Sequence, residues 1–256
     1  MENLKNNAIS KAVRILRFFE KENRPASINE ISLELGLKRP TVHRTVRTLV
    51  EHGMLRYELD SSRVSLGGTV LALGASLTHS LRSGTLLEHT RPHLEKLCEE
   101  TGCGVTLELF SGMKNILLFA LKGHRVKSFA GALGDVMPWF AAAGSKATLA
   151  HVAQEDLSPI LNERMFPLTP STITDTETFL ANLKNVRKKG YATDLEETQI
   201  GVNAVAVPFF GYDGLPAGAV VAMDMSLDLN NPKSEIIAKV RMAADSISSY
   251  VFSPRK

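Results

Sequence analysis

The stretch "LGLKRPTVHRTVRTLVEHGM", residues 35–54, admits few structures. Pro40 has no amide hydrogen and a fixed backbone angle, so it suits the first turn of a helix and would break the middle of one. The spacing predicts a helix that starts near Pro40 and ends near His52, with Gly53 as its C-terminal stop. At about 100° per residue, Val42, Val46 and Leu49 share one face, while Pro40, Thr41, Arg44, Arg47 and Thr48 lie round the other. That second face is Thr and Arg, with no acid before Glu51. Its chemistry suits a DNA surface better than a protein core.

The flanking segments supply a frame for such a helix. "AISKAVRILRFFEKE" is amphipathic, with Ile9, Val13 and Leu16 and the Phe18–Phe19 pair at helical spacing and Lys11, Arg14 and Arg17 between them. "SINEISLELGL" begins with Ser27 and Glu30 at capping-box spacing and stops at Gly36. After Gly53, "MLRYEL" and "RVSLG" alternate as short strands around the turn "DSS". Three helices and a two-stranded ribbon over residues 8–67 make a winged helix-turn-helix. Charge agrees. Residues 1–80 hold twelve Lys+Arg against eight Asp+Glu, a balance of +4, and residues 81–256 hold eighteen against nineteen, a balance of −1. A modest basic excess in the first third is what a nucleic-acid module joined to a neutral domain would show.

"GGTVLALGASLTHSL" follows, with Leu66, Val70, Leu73, Leu77 and Leu81 at helical spacing and few polar residues for a linker. It is expected to be a helix that packs on something, a second subunit or its own chain, as well as joining the domains. From residue 84 the texture changes. "TLLEHTRPHLEKLCEETG" suggests a helix with Pro92 as a possible bend. "GVTLELFSG" and "NILLFALKG" suggest strands, "SKATLAHVAQEDL" and "TETFLANLKNVRKKG" helices, and "GVNAVAVPFFGYDGLPAGAVVAMDM" two strands joined by a hairpin. A last helix spans "NPKSEIIAKVRMAADSISSYVF". The mixture predicts an α+β domain with a mostly antiparallel sheet. At 256 residues, 44% apolar and 22% charged, the chain fits two soluble domains. It has neither an apolar run of membrane-spanning length nor a signal core in "MENLKNNAIS", so a cytoplasmic protein with no membrane partner is expected.

Several segments together resemble the isocitrate lyase regulator (IclR) family of bacterial transcription factors: "ASINEISLELGLKRPTVHRTVRTLVEHGML", "RVSLGGTVLALG", "RPHLEKLCEETG" and, most specifically, "RKKGYATDLEETQIGVNAVAVP". The similarity spans nearly the whole chain. It implies a two-domain α+β protein: a winged helix-turn-helix over 1–67, a linker helix over 68–83, and a GAF/profilin-like sensing domain over 84–256 for effector binding and oligomerisation. The implied function is a ligand-responsive regulator of a catabolic gene set that binds a near-palindromic double-stranded operator as a homodimer or tetramer. No cofactor or metal is implied. The sequence departs from the family where P-L-H-A-T-A-x-G-K is common: here "PWFAAAGSK" places Phe140 at the His, Ala142 at the Thr and Ser145 at the Gly before Lys146. Ala204 replaces a common Cys, and Val221 and Met223 stand where Ser is frequent. These apolar replacements disfavour a simple hydrophilic acid and predict a small organic effector with an apolar or aromatic part.

The DNA-facing candidates are Arg39, Thr41, His43, Arg44, Arg47 and Thr48 on the helix, with Arg56 and Arg63 flanking the wing turn. Arginine bonds two acceptors on guanine, and Thr or a helix N-terminus bonds phosphate oxygen; the alternative is a solvated charged face. The effector candidates are Trp139, Phe140, Ala142, Asp194, Ala204, Val221 and Met223. Asp194 and Glu196 are placed in a loop before the "GVNAVAVP" strand, either as a polar wall of the site or as acids that are simply exposed. His89 and His93 are four apart, but with Pro92 between them they suit surface or packing roles better than metal. Cys98 and Cys103 are too few for a disulfide scaffold. Ser145–Lys146 invites a hydrolase, yet no G-x-S-x-G, S-x-x-K or phosphate-binding Gly loop accompanies it. An enzyme carrying a basic N-terminal module is the alternative function, and a non-enzyme the expectation.

Overall fold

The computed structural model describes residues 7–59, 61–82, 86–125, 131–225, 227 and 235–252. The chain forms two compact units, residues 1–83 and 84–256. No helix among the described residues is long and apolar enough to cross a membrane.

In the first unit, α1 (Ala8–Glu22) starts where the Asn7 side chain accepts the Ser10 N–H and ends at Asn23 in the left-handed region. After the two-residue β1 (Ala26–Ser27) comes α2 (Ile28–Leu35), closed by a full capping box. The Ser27 hydroxyl accepts the Glu30 N–H, and the Glu30 carboxylate accepts the Ser27 N–H at 2.8 Å. α3 (Arg39–Glu51) holds Pro40 in its first turn, as the sequence predicts, and Gly53 just beyond it has φ +66°. β2 (Leu55–Tyr57) and β3 (Arg63–Leu66) form the wing. Ile15, Phe18, Phe19, Ile31, Val42 and Val46 close the core beneath it, each worth roughly 1.5–3 kcal/mol in burial. The ribbon carries a third strand, because β1 pairs with β3. Two residues give no alternation, so the sequence could not show it.

α4 (Gly68–Arg82) completes this unit. Leu71 and Leu73 on it are exposed, at 78% and 57%.

In the second unit, α5 (Leu86–Thr101) is one helix that contains Pro92. β4 (Gly104–Ser111) and β5 (Lys114–Leu121) turn at Gly112 and Met113, both with positive φ, as a tight hairpin requires. Then follow α6 (Ala143–Leu149), a 3-10 turn at Gln154–Leu157, α7 (Ser158–Leu161), α8 (Thr176–Lys189), β6 (Ala192–Leu195), β7 (Asn203–Phe210), β8 (Pro216–Asp224) and α9 (Glu235–Phe252). The strands form an antiparallel sheet in the order β5-β4-β8-β7-β6. Alternation divides it into two faces. Val105, Leu107, Val205, Val207 and Val220 point toward α5 and α9, whereas Ala204, Ala206, Ala219 and Val221 point toward α6 and α8. The small residues on the second face let α6 lie close to the sheet.

Helix α6 departs from the sequence reading. The helix expected to run through "SKATLAHVAQEDL" begins two residues earlier, at Ala143, and ends at Leu149. Every residue of α6 is buried, so it has no polar stripe whose end would mark its limit.

Candidate functional site

On α3 the exposed residues are Arg39, Pro40, His43, Arg44, Arg47, Thr48 and, at its end, Glu51, with Thr41 half-buried beside them, while Val42 and Val46 are wholly buried. The six helix members of the predicted DNA-facing set thus lie on the solvent-facing side of α3. Its members differ in freedom. Arg47 is held by Glu51 one turn on, at 3.0 Å, an exposed pair of little energetic worth. The Thr48 hydroxyl donates to the Arg44 carbonyl. Arg39 and Arg44 form no ion pair among the described residues. On the wing, Arg56 is exposed and donates to Ser65 Oγ at 3.2 Å, with Glu58 at 3.3 Å. Arg63 instead reaches back to the Pro25 carbonyl at 2.9 Å and to Glu30 at 3.5 Å, bracing β1 against β3.

The second unit contains a cavity of about 470 Å³ between the α6 face of the sheet and the loop after β6. Strand register explains which residues reach it. Asp194, Ala204 and Met223 form one row across β6, β7 and β8. Val221 lies two residues along β8 and faces the same way, opposite Thr106. Together with Ala142 these are five of the seven predicted effector residues, and all five line the cavity.

Trp139 and Phe140 do not line it. They are 5% and 3% exposed and pack edge-on, Trp139 against Phe179 at 5.1 Å and Phe140 against Phe166 at 5.3 Å. Their aromatic area serves the core between α6 and α8.

Asp194 lies in strand β6, not in the loop where the sequence reading placed it, and it is buried. Its Oδ1 accepts the N–H groups of Glu197 and Thr198 at 2.7 and 3.2 Å, and its Oδ2 accepts the Thr198 hydroxyl. Glu196 is half-buried with φ +59°, and its carbonyl accepts the Thr169 hydroxyl. Of the two adjacent glutamates, Glu197 is the buried one. Its Oε1 accepts from the fully buried Lys146 ammonium at 2.5 Å, while its Oε2 has no partner among the described residues. Burial pushes the Asp194 and Glu197 carboxyls up, and Lys146 opposes that shift in both. Lys146 is thereby committed to tying α6 to the loop after β6. Ser145 Oγ, also buried, makes no hydrogen bond among the described residues, so the two form no nucleophile–base pair there.

The sequence reading missed the other end of the cavity, where Thr106 and Glu108 stand on β4, with Met137 and Pro138 nearby. Glu108 is 1% exposed; Asn115 donates to its Oε2 at 3.0 Å, and Asn115 in turn accepts from the Thr148 hydroxyl at 2.7 Å. Burial raises its pKa to about 7, against the Asn115 hydrogen bond. The pairing of β4 with β5 shifts register between Leu107 and Glu108, an irregularity that re-aims side chains. A signal was present in "VTLEL": strict alternation puts Thr106 and Glu108 on one face of a strand whose other residues are apolar. Elsewhere, His89 and His93 are exposed on α5, and the Cys98 thiol donates to the Cys103 carbonyl at 3.3 Å, both cysteines being free.

Comparison with known proteins bears on both units. Residues 8–59 match the model of the IclR helix-turn-helix domain, and residues 78–249 match that of the bacterial transcriptional regulator IclR C-terminal domain. The chain belongs to the IclR family. As an IclR-family protein it is a DNA-binding transcriptional regulator. The HTH-type transcriptional repressor AllR of Escherichia coli (strain K12) is 28% identical over 230 residues, covering 90% of this chain and 81% of AllR. The IclR structure from Thermotoga maritima superposes with a TM-score of 0.66 at 25% identity, over 96% of this chain and 99% of that one. An IclR homolog from Microbacterium hydrocarbonoxydans, complexed with 4-hydroxybenzoate, shares the fold with a TM-score of 0.68 at 22% identity, over 96% and 99% of the two chains.

Proposed function

We propose that this IclR-family protein is a cytoplasmic, effector-responsive regulator whose α3 face enters the major groove and whose C-terminal cavity receives a small organic effector. Arg39 and Arg44 are the base-reading candidates, since neither is tied to an acid. Thr41, His43, Arg47, Thr48 and Arg56 are backbone contacts, with Arg63 acting mainly as a brace for the wing. The exposed Leu71 and Leu73 on α4 favour a helix covered by a second copy of the chain. A twofold dimer would engage half-sites separated by about 34–36 Å, or a multiple of that spacing.

The observation that carries the effector reading is the cavity, which is lined largely by Ala142, Ala204, Val221, Met223 and other apolar side chains with a few convergent polar groups. That composition and size suit a small molecule with an apolar body. The homolog bound to 4-hydroxybenzoate supports an occupant of this size in the family. To regulate, the effector must bind the DNA-competent and DNA-incompetent arrangements with different affinity. The test is a panel of small alkyl and aryl compounds screened for those that raise the melting temperature of the full chain. A stabilising compound is expected to change operator affinity by roughly 5-fold or more; one that binds the cavity and leaves operator affinity unchanged would overturn the reading.

A further inference from the structure

The Glu108 end of the cavity differs in chemistry from the Asp194 end. From the strand register the two acids are on the order of 20 Å apart at the backbone, so the cavity is long enough for a ligand with separate recognition at each end. Among the described lining residues, Glu108, Asp194 and Asp224 are acidic, and none is Lys, Arg or His. Two of these acids are already answered. Asp194 is satisfied by Thr198 and two backbone N–H groups, with the Lys146–Glu197 pair behind it, and Asp224 is paired with Arg125 at 2.9 Å.

Glu108 is not answered in this way. Asn115, a neutral amide, donates to Oε2, and no described residue donates to Oε1. On the same face of β4, two residues away, Thr106 is 1% exposed and its Oγ1 has no hydrogen-bond partner among the described residues. A buried carboxyl and a buried hydroxyl, both short of partners and both lining one cavity, mark a place where a ligand completes the hydrogen bonding. The carboxyl also lies against the first turn of α6: a Cβ added to Gly144 would collide with Glu108 Oε2. A ligand carboxylate at this end would meet Glu108 rather than a cation.

We propose that the Glu108 end of the cavity receives a protonated amine, so that the effector is an amine on an alkyl or aryl body rather than an organic acid. This rests on the reading of the cavity as the effector site. The ammonium donates to Glu108 Oε1 and to Thr106 Oγ1, and the apolar body lies along Leu117, Val221 and Met223. Pairing with the ammonium holds Glu108 in its charged form, which burial alone disfavours.

The experiment is calorimetric titration of the full chain with three molecules of similar size, phenethylamine, 2-phenylethanol and 3-phenylpropionate, at about pH 8 so that free Glu108 is mostly ionised. Phenethylamine is expected to bind, and to bind more tightly than the other two. Glu108→Gln, which keeps the shape, is expected to weaken the amine by on the order of tenfold or more while unfolding no more easily than the wild type. Thr106→Val is a milder second variant that leaves the carboxyl in place and should weaken the amine less. The proposal is overturned if phenethylamine does not bind, if 3-phenylpropionate binds more tightly, or if Glu108→Gln binds the amine as well as the wild type. Operator affinity in the same samples separates the two ideas. An acid that binds and shifts operator affinity removes the amine assignment and keeps the effector reading. Glu108-dependent amine binding that leaves the operator untouched does the reverse.

Discussion

Glu108 gives the sharpest test at the scale of a single residue, because its carboxyl titrates near 7 when folded and near 4.5 ordinarily. Below about pH 4.5 it is neutral in both the folded and the unfolded chain. Between there and about pH 7 the unfolded chain loses the proton and the folded chain keeps it, so folded stability falls as pH rises and levels off above. The difference corresponds to about 3 kcal/mol. Glu108→Gln, uncharged throughout, should therefore gain stability relative to the wild type across that window, as measured by urea denaturation at its two ends; a gap that stays constant would contradict the placement of this carboxyl. The same residue shows what the sequence held and what it concealed. Its alternation with Thr106 was visible, but an acid in a strand is usually solvated, and only the packing of Gly144 against it shows that this one is enclosed. Trp139 and Phe140 err the other way: large aromatic side chains beside a site fit a ligand wall and a core equally well until Phe179 is seen against the one and Phe166 against the other.

Among the elements, those with two distinct faces were legible. α3 was bounded by Pro40 and Gly53 and oriented by Val42 and Val46, and α2 by its Ser27–Glu30 box, all of which the structure retains. α6 was misplaced because burial on every side erases the periodicity that locates a helix. β6 was mistaken for a loop because it has only four residues, two of them polar, too few for alternation to mark a strand. At this scale α4 carries a prediction. Leu71 and Leu73 are exposed on a helix with few polar residues, and under the proposed function a second chain covers them. Leu71→Glu should shift the protein toward the monomer in sedimentation analysis while each unit keeps its far-ultraviolet signature. An unchanged oligomer would place the subunit contact elsewhere.

For the molecule as a whole, family membership assigns DNA binding, and under the proposed function the α3 face performs it through arginines that stand exposed above a packed core. The cavity in the second unit accounts for regulation only if its occupant biases that DNA-binding state. The most direct measurement is fluorescence anisotropy of the full chain on the DNA immediately upstream of its own gene, against scrambled DNA, at two salt concentrations, for the wild type and Arg44→Ala. The account predicts salt-sensitive binding that prefers the upstream DNA, with Arg44→Ala losing roughly 1–3 kcal/mol on that DNA and less on the scrambled one if Arg44 reads a base. Equal affinity for both DNAs, or an Arg44→Ala variant that binds like the wild type, would contradict the assignment of α3 as the reading helix.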